Sequence, residues 1–288
     1  MFATDQQGNW WGTCPLIHLK EGRFYGHGDS IPDIRRGGTP VPDPGVLPLG
    51  LTVAEAPGRV PGYYPPAVWF PYVKMGQSTT GIRTDLTQGK FGPFAGQMFV
   101  GDFTMSQVNR VFLEKVNGEY QGACFPFLDG FPSAVLQMEF LPDGSMIVGE
   151  SNRGWNSLGT RSFGLERVQW TGKVPFEMLS MEATAEGFKV TFTEAIASLS
   201  QIKPGDFKMS SYTYLYQQAY GSAETDAKTV PITQVVAGKD GRSVTLVCEG
   251  LRSGYVHELH VGELTSLTGQ PLRYNRAYYT LNQRPSVK

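Results

Sequence analysis

Three stretches of the chain repeat one pattern, a short apolar run that ends on a carboxylate. They are Met1-Phe2-Ala3-Thr4-Asp5, Met98-Phe99-Val100-Gly101-Asp102 and Met146-Ile147-Val148-Gly149-Glu150. Each is followed by a second strand-like run that closes on glycine, at positions 16–22, 111–118 and 165–172. A lone hairpin is marginal in water because its apolar face stays wet. A repeated multi-strand unit therefore has to stack on its own copies, and a period of roughly fifty residues is that of propeller blades. The repeat predicts an all-β fold. It also places Met1 at the start of the second strand of a blade, so that the chain opens in mid-blade with the first strand absent.

The unit around Val135 is the most complete. Strands are expected at 135–140, 145–150 and 164–170, with Leu141-Pro142-Asp143-Gly144 as a tight turn of residues that favour one. The preceding unit reads as four strands, at 80–87, 97–103, 107–116 and 120–127. About three blades are countable, too few for the four to eight that close a propeller. Residues 28–66 interrupt the pattern with dense proline, including Pro40-Val41-Pro42-Asp43-Pro44 and Pro65-Pro66. Proline removes a ladder donor, so this segment is expected to run over the surface rather than supply inner strands.

The pattern changes near 172–176. Beyond it Phe188, Val190 and Phe192 alternate with polar residues, as do Val244, Leu246 and Cys248, and Tyr255, His257, Leu259 and Val261. Glycine turns fall between them. About 115 residues so spaced describe an Ig-like β-sandwich. The expected organisation is a partial propeller, not closed, at 1–173 and the sandwich at 174–288. Composition agrees, since 35 glycines and 20 prolines leave little room for long helices.

A net charge of −1 gives no electrostatic case for nucleic acid. No apolar run is long enough to span a membrane, and no basic segment with an apolar core opens the chain as a signal peptide would. Four His and three Cys, without CxxC, HExxH or CxxCH, suggest no zinc ribbon and no covalent haem. No metal site is assigned. Cys14 and Cys124 sit in similar contexts, so either they pair or they are two small buried residues on equivalent strands, the plainer reading.

The stretches 2–10, 22–27, 89–97 and 151–155 resemble bacterial sugar dehydrogenase-like propellers of the glucose/sorbosone type. The resemblance is to the large extracytoplasmic proteins described as membrane-bound dehydrogenases. Phe192-Thr193-Glu194 and Leu267-Thr268-Gly269 resemble bacterial Ig-like modules. The resemblance implies a periplasmic or secreted protein, pyrroloquinoline quinone (PQQ) and calcium as cofactors, a sugar or glycan ligand, and a cytochrome or other redox domain as partner. This chain carries no haem-attachment motif of its own.

Candidate functional residues follow the repeated strands, where propeller loops gather. His27, between two glycines, is the candidate general base, with a backbone-bonded loop histidine as the alternative. Asn152, Arg153 and Trp155 offer an amide, a guanidinium and an aromatic plane for a sugar or quinone. The alternative is an Arg–Trp pair that pins a loop. Gln7, Asn9 and Trp10 complete the ligand-binding set. Asp5, Asp102 and Glu150 recur in every blade, which favours a structural role over calcium binding. Tyr212, Tyr214 and Tyr216 would share one strand face, either as a contact surface or packed against the propeller. Three functions stay open: a portion of a quinone-dependent sugar or alcohol dehydrogenase, a noncatalytic carbohydrate- or protein-binding module, and a truncated product without independent activity.

Overall fold

A computed structural model describes residues 1–286. The chain is all-β, with short helical turns between strands. β1 (Phe2–Thr4), β2 (Cys14–His18), β3 (Leu51–Thr52) and β4 (Val68–Phe70) come first. β5 (Thr79–Thr84), β6 (Met98–Asp102), β7 (Gln107–Val116) and β8 (Glu119–Leu128) follow. Next are β9 (Val135–Phe140), β10 (Met146–Ser151) and β11 (Phe163–Val168). The remainder holds β12 (Met178–Ala183), β13 (Gly187–Phe192), β14 (Phe207–Thr213), β15 (Leu215–Tyr216), β16 (Thr225–Thr229), β17 (Ile232–Ala237), β18 (Ser243–Cys248), β19 (Tyr255–Val261) and β20 (Arg276–Leu281).

Turn chemistry sets the hairpins. Asn117 and Gly118, both at positive φ, form the two-residue loop between β7 and β8 that right-twisted strands prefer. Gly144 at φ +89° closes the β9–β10 turn, where Asp143 Oδ1 accepts the Ser145 N–H at 2.9 Å. Three antiparallel groups result: β1-β2-β4, β5-β6-β7-β8 and β9-β10-β11. Their leading strands touch in sequence. Thr4 Oγ1 donates to the Thr80 carbonyl at 2.8 Å, and Thr80 Oγ1 donates to the Val135 carbonyl at 2.9 Å, so matching threonines bridge β1 to β5 and β5 to β9. Gly101 lets β6 approach β9, since a Cβ there would meet Val135 and Thr80 side chains at 2.7 Å.

The sheets β12-β13-β18-β17 and β16-β14-β19-β20 face each other across a second core of Phe188, Phe192, Leu246, Met209, Leu259 and Tyr279. β20 also pairs with β8, through Tyr278↔Cys124, Tyr279↔Ala123 and Thr280↔Gly122. One eight-stranded sheet, β16-β14-β19-β20-β8-β7-β6-β5, therefore runs from residue 79 to residue 281 without a break. The cores interleave accordingly. Ala123 and Phe125 of β8 belong to the second core, while Tyr212, Val256 and Tyr278 belong to the first.

Two expectations need correction. Residues 28–66 do not simply run over the surface. Leu51, Val53, Ala56, Val60 and Tyr63 are buried in the first core, and β3 pairs with β15. Proline bars inner ladders but not side-chain burial, and apolar residues alternate with the prolines here. The second strand of the first unit is also displaced, to 14–18 from the expected 16–22.

The third sheet, β9-β10-β11, is open on one side. Val135, Met138, Met146 and Val148 turn to a core with Phe91 and Phe99. On the other face Phe163 and Leu165 are 76% and 73% exposed, and β11 is an edge.

Candidate functional site

Gln7, Asn9, Trp10 and His27 gather at one end of the first sheet. Gln7 is buried, and its Nε2 donates to the Gly12 carbonyl at 2.9 Å. Asn9 is exposed and forms a backbone bridge with Tyr220. Trp10 sits at φ +68°, outside any strand; its Nε1 donates to Asp29 Oδ1 at 3.1 Å and its ring lies 5.2 Å from Tyr216. Trp10 and Trp11 are both buried, so neither offers an open aromatic plane. The His27 ring meets Trp11 edge-on at 5.4 Å, and its carbonyl accepts from Ser30 N–H and Oγ.

Asn152, Arg153 and Trp155 lie after β10 on the third sheet, with the second sheet in between. Asn152 spends its whole amide on its own loop and on the residue that leads into β9. Its Oδ1 accepts from Ala134 N–H at 3.1 Å and Ser157 Oγ at 2.6 Å, and its Nδ2 donates to the Gly159 and Arg161 carbonyls at 2.8 and 2.9 Å. Arg153 and Trp155 are exposed, Trp155 by 70%, and the guanidinium does not stack on the indole.

Two of the recurring acids tie their sheet to the start of its first strand. Asp102 accepts N–H bonds from Gln77, Ser78 and Met105, each at 2.8 Å, just before β5 and just after β6. Glu150 accepts the Ser133 N–H at 2.7 Å, just before β9. The Asp5 carboxylate accepts the N–H of its neighbour Gln6 at 2.7 Å, and its carbonyl accepts from Thr79 Oγ1 of β5 at 2.8 Å. Tyr212, Tyr214 and Tyr216 are buried against the first sheet rather than presented outward, and β14 ends at Thr213 before the last two. Cys14, Cys124 and Cys248 are free buried thiols, and burial pushes Cys14 up to about 11.

A different place brings unused polar atoms together. Where β8, the third sheet and the start of β12 meet, a cleft of about 280 Å³ opens, walled by Phe91, Phe94, Phe127 and Trp170 with Glu177 and Arg273 at its polar side. Arg110 of β7 lies beside it, 1% exposed. Its Nη1 donates to Gln97 Oε1 at 2.5 Å and the Leu179 carbonyl at 3.0 Å, its Nη2 to the Met178 carbonyl at 2.5 Å, and its guanidinium lies over Phe94 and Phe125. Glu177 is only 2% exposed, and its Oε2 has no hydrogen-bond partner. Arg110 Nη2 stands 3.9 Å from Oε2 and Arg273 Nε stands 3.9 Å from the other oxygen, Oε1, both too far to bond. Burial pushes the Glu177 carboxyl above its usual range, against the opposing pull of the two guanidiniums. Burial likewise lowers Arg110 to about 10. A buried ion pair without direct bonds is costly, so this corner is suited to a further polar group. The sequence gives one signal of it: Glu177 stands alone between Phe176 and Met178.

No protein-family model and no curated protein matches the chain. Among solved structures it is similar to the S-layer protein rSbsC(31-844), at 18% identity and a TM-score of 0.29. That match covers 38% of this chain and 14% of the other, so the chain spans a small part of its length.

Proposed function

We propose that the chain is a noncatalytic binding module whose ligand enters the cleft between β8, the third sheet and β12. The buried, unpartnered Glu177 carboxylate in an aromatic-walled cleft is the observation that carries this reading. The scaffold would be an arc of three propeller-type blades joined to an Ig-like sandwich. The threonine bridges from β1 to β5 to β9 support the arc. The orders β12-β13-β18-β17 and β16-β14-β19-β20 support the sandwich, since they match ABED facing a sheet built on CFG.

The dehydrogenase reading rests on the resemblance. His27 packs on Trp11, and Gln7, Trp10 and Asn152 direct polar atoms at this chain, which favours binding over turnover. The test is tryptophan fluorescence against a library of small ring compounds, with Trp170→Phe as the control. A ligand-dependent signal that disappears in the variant supports the cleft. Oxidation of a sugar panel after incubation with PQQ and calcium refutes the noncatalytic reading.

A further inference from the structure

The outer face of the third sheet repeats a face that, one sheet earlier, is covered. Register sets the correspondence. In the second sheet Phe99 of β6 lies opposite Arg110 of β7, and Gly101 lies opposite Val108. In the third sheet Ile147 of β10 lies opposite Arg167 of β11, and Gly149 lies opposite Leu165. The repeated runs Met98–Asp102 and Met146–Glu150 align these pairs one for one. Phe99 and Val108 are buried in the core that Val135 and Met138 of the third sheet share, and Val135 stands over the notch at Gly101. Their counterparts are open. Leu165 is largely exposed, and a Cβ on Gly149 would meet nothing beyond its own sheet.

We propose that this face packs on the same face of a second copy of the chain. Charge selects that occupant. Directly opposite residues of neighbouring strands share a face, so β9, β10 and β11 carry the row Glu139–Ile147–Arg167 across the outer side. An acid stands at one end of the row, a base at the other and an apolar residue between them. A two-fold axis running along β10, midway between the two faces, lays this row over its own reverse. Glu139 of each copy then meets Arg167 of the other, and isoleucine meets isoleucine in the middle. Arg83 beside Glu139 and Asp143 beside Arg167 leave each end with two charges of each sign. An axis across the strands leaves Glu139 without a base. Gly149, on the middle strand, lets the two sheets approach closely, and Phe163 and Leu165 leave water as they do so. Three strands of six residues make a face of about 14 by 20 Å. That is small beside a standard interface, so the pair is weak and reversible. The cleft lies on the opposite side, since Val168 of its wall pairs with the core residue Met146.

Sedimentation equilibrium of the full chain from about 1 µM to about 1 mM tests this, the range in which so small a face associates. The mass is expected to rise from 31.7 kDa towards twice that value. Leu165→Glu is expected to hold the chain at the monomer mass. Arg167→Glu and Glu139→Arg, each alone, set like charges against one another and are expected to weaken the pair at least about tenfold. Made together they restore the match with signs exchanged, and the affinity is expected to return to within about threefold of the wild type. A loss that the second substitution recovers is not a loss of fold. A monomer at every concentration, a dimer indifferent to Leu165→Glu, or a double variant no tighter than the singles overturns the inference.

Discussion

The recurring carboxylates should have graded, not equal, effects on stability, because the structure gives them unequal work. Asp102 is fully buried and holds three backbone N–H groups at 2.8 Å. Glu150 is nearly buried and holds one of long range. Asp5 is exposed and holds only the N–H of Gln6. Removing an acceptor and leaving a buried donor unmet costs about 1–3 kcal/mol per group. Water entering the space left by the side chain recovers part of that at the partly buried donors. Asp102→Ala should therefore cost about 4 kcal/mol, Glu150→Ala about 1.5 kcal/mol, and Asp5→Ala nearly nothing. At ~2–4 °C per kcal/mol for a chain of this size class, the first melts at least ~8 °C earlier. The assay is thermal and urea unfolding of the three variants at neutral pH, with and without EDTA. Asp102→Asn keeps one acceptor oxygen and should recover about half the loss. Equal losses in all three variants, or a loss that appears only when calcium is present, refute the strut and restore a ligand role for these acids.

Two further outcomes can be measured on the same protein. His257 is fully buried against Phe188, and burial drives it down to about 3, so it stays neutral while the unfolded chain takes up a proton near 6.5. Its contribution to stability is whole above pH 6.5 and is lost as pH falls toward 3. The wild type minus His257→Phe difference in urea unfolding should therefore move by about 3 kcal/mol between pH 7 and pH 4, and a flat difference refutes the assignment. Gly122 faces Leu113 of β7 and Thr280 of β20, and a Cβ there would run into the Phe112 carbonyl. Gly122→Ala should cost at least about 3 kcal/mol, against about 1 kcal/mol for Gly118→Ala, which strains φ but meets open space. Equal costs would show that only backbone conformation matters.

The strands were legible because their signals are local. Alternation marks β13 and β18, and Asn117-Gly118 and Pro142-Asp143-Gly144 mark hairpins that the chain forms where expected. The joining of β8 to β20 was not, because Gly122-Ala123-Cys124 reads as any outer blade strand and its partner lies about 150 residues away. Trp10 escaped for another reason. A bulky residue at positive φ contradicts its own propensity and is held there by Asp29, Gly28 and Tyr216. Glu177 and Arg110 are 67 positions apart, so no local pattern joins them, and only the fold sets them 3.9 Å from one another. Asn152 drew notice for its polarity, and that polarity closes its own loop.

The position of β20 between β8 and β19 imposes an order on biosynthesis. β8 leaves the ribosome with one edge of a four-stranded sheet unpaired, and its Ala123 and Phe125 belong to a core that does not yet exist. At ~5–20 residues per second, the partner strand follows after roughly 8–30 s. Until then the nascent first half carries an adhesive edge that a chaperone must shield or a neighbouring nascent chain can capture. β20 thus completes the sheet on both of its sides, and a ribosome that stalls before it leaves β8 and β19 each with an unpaired edge.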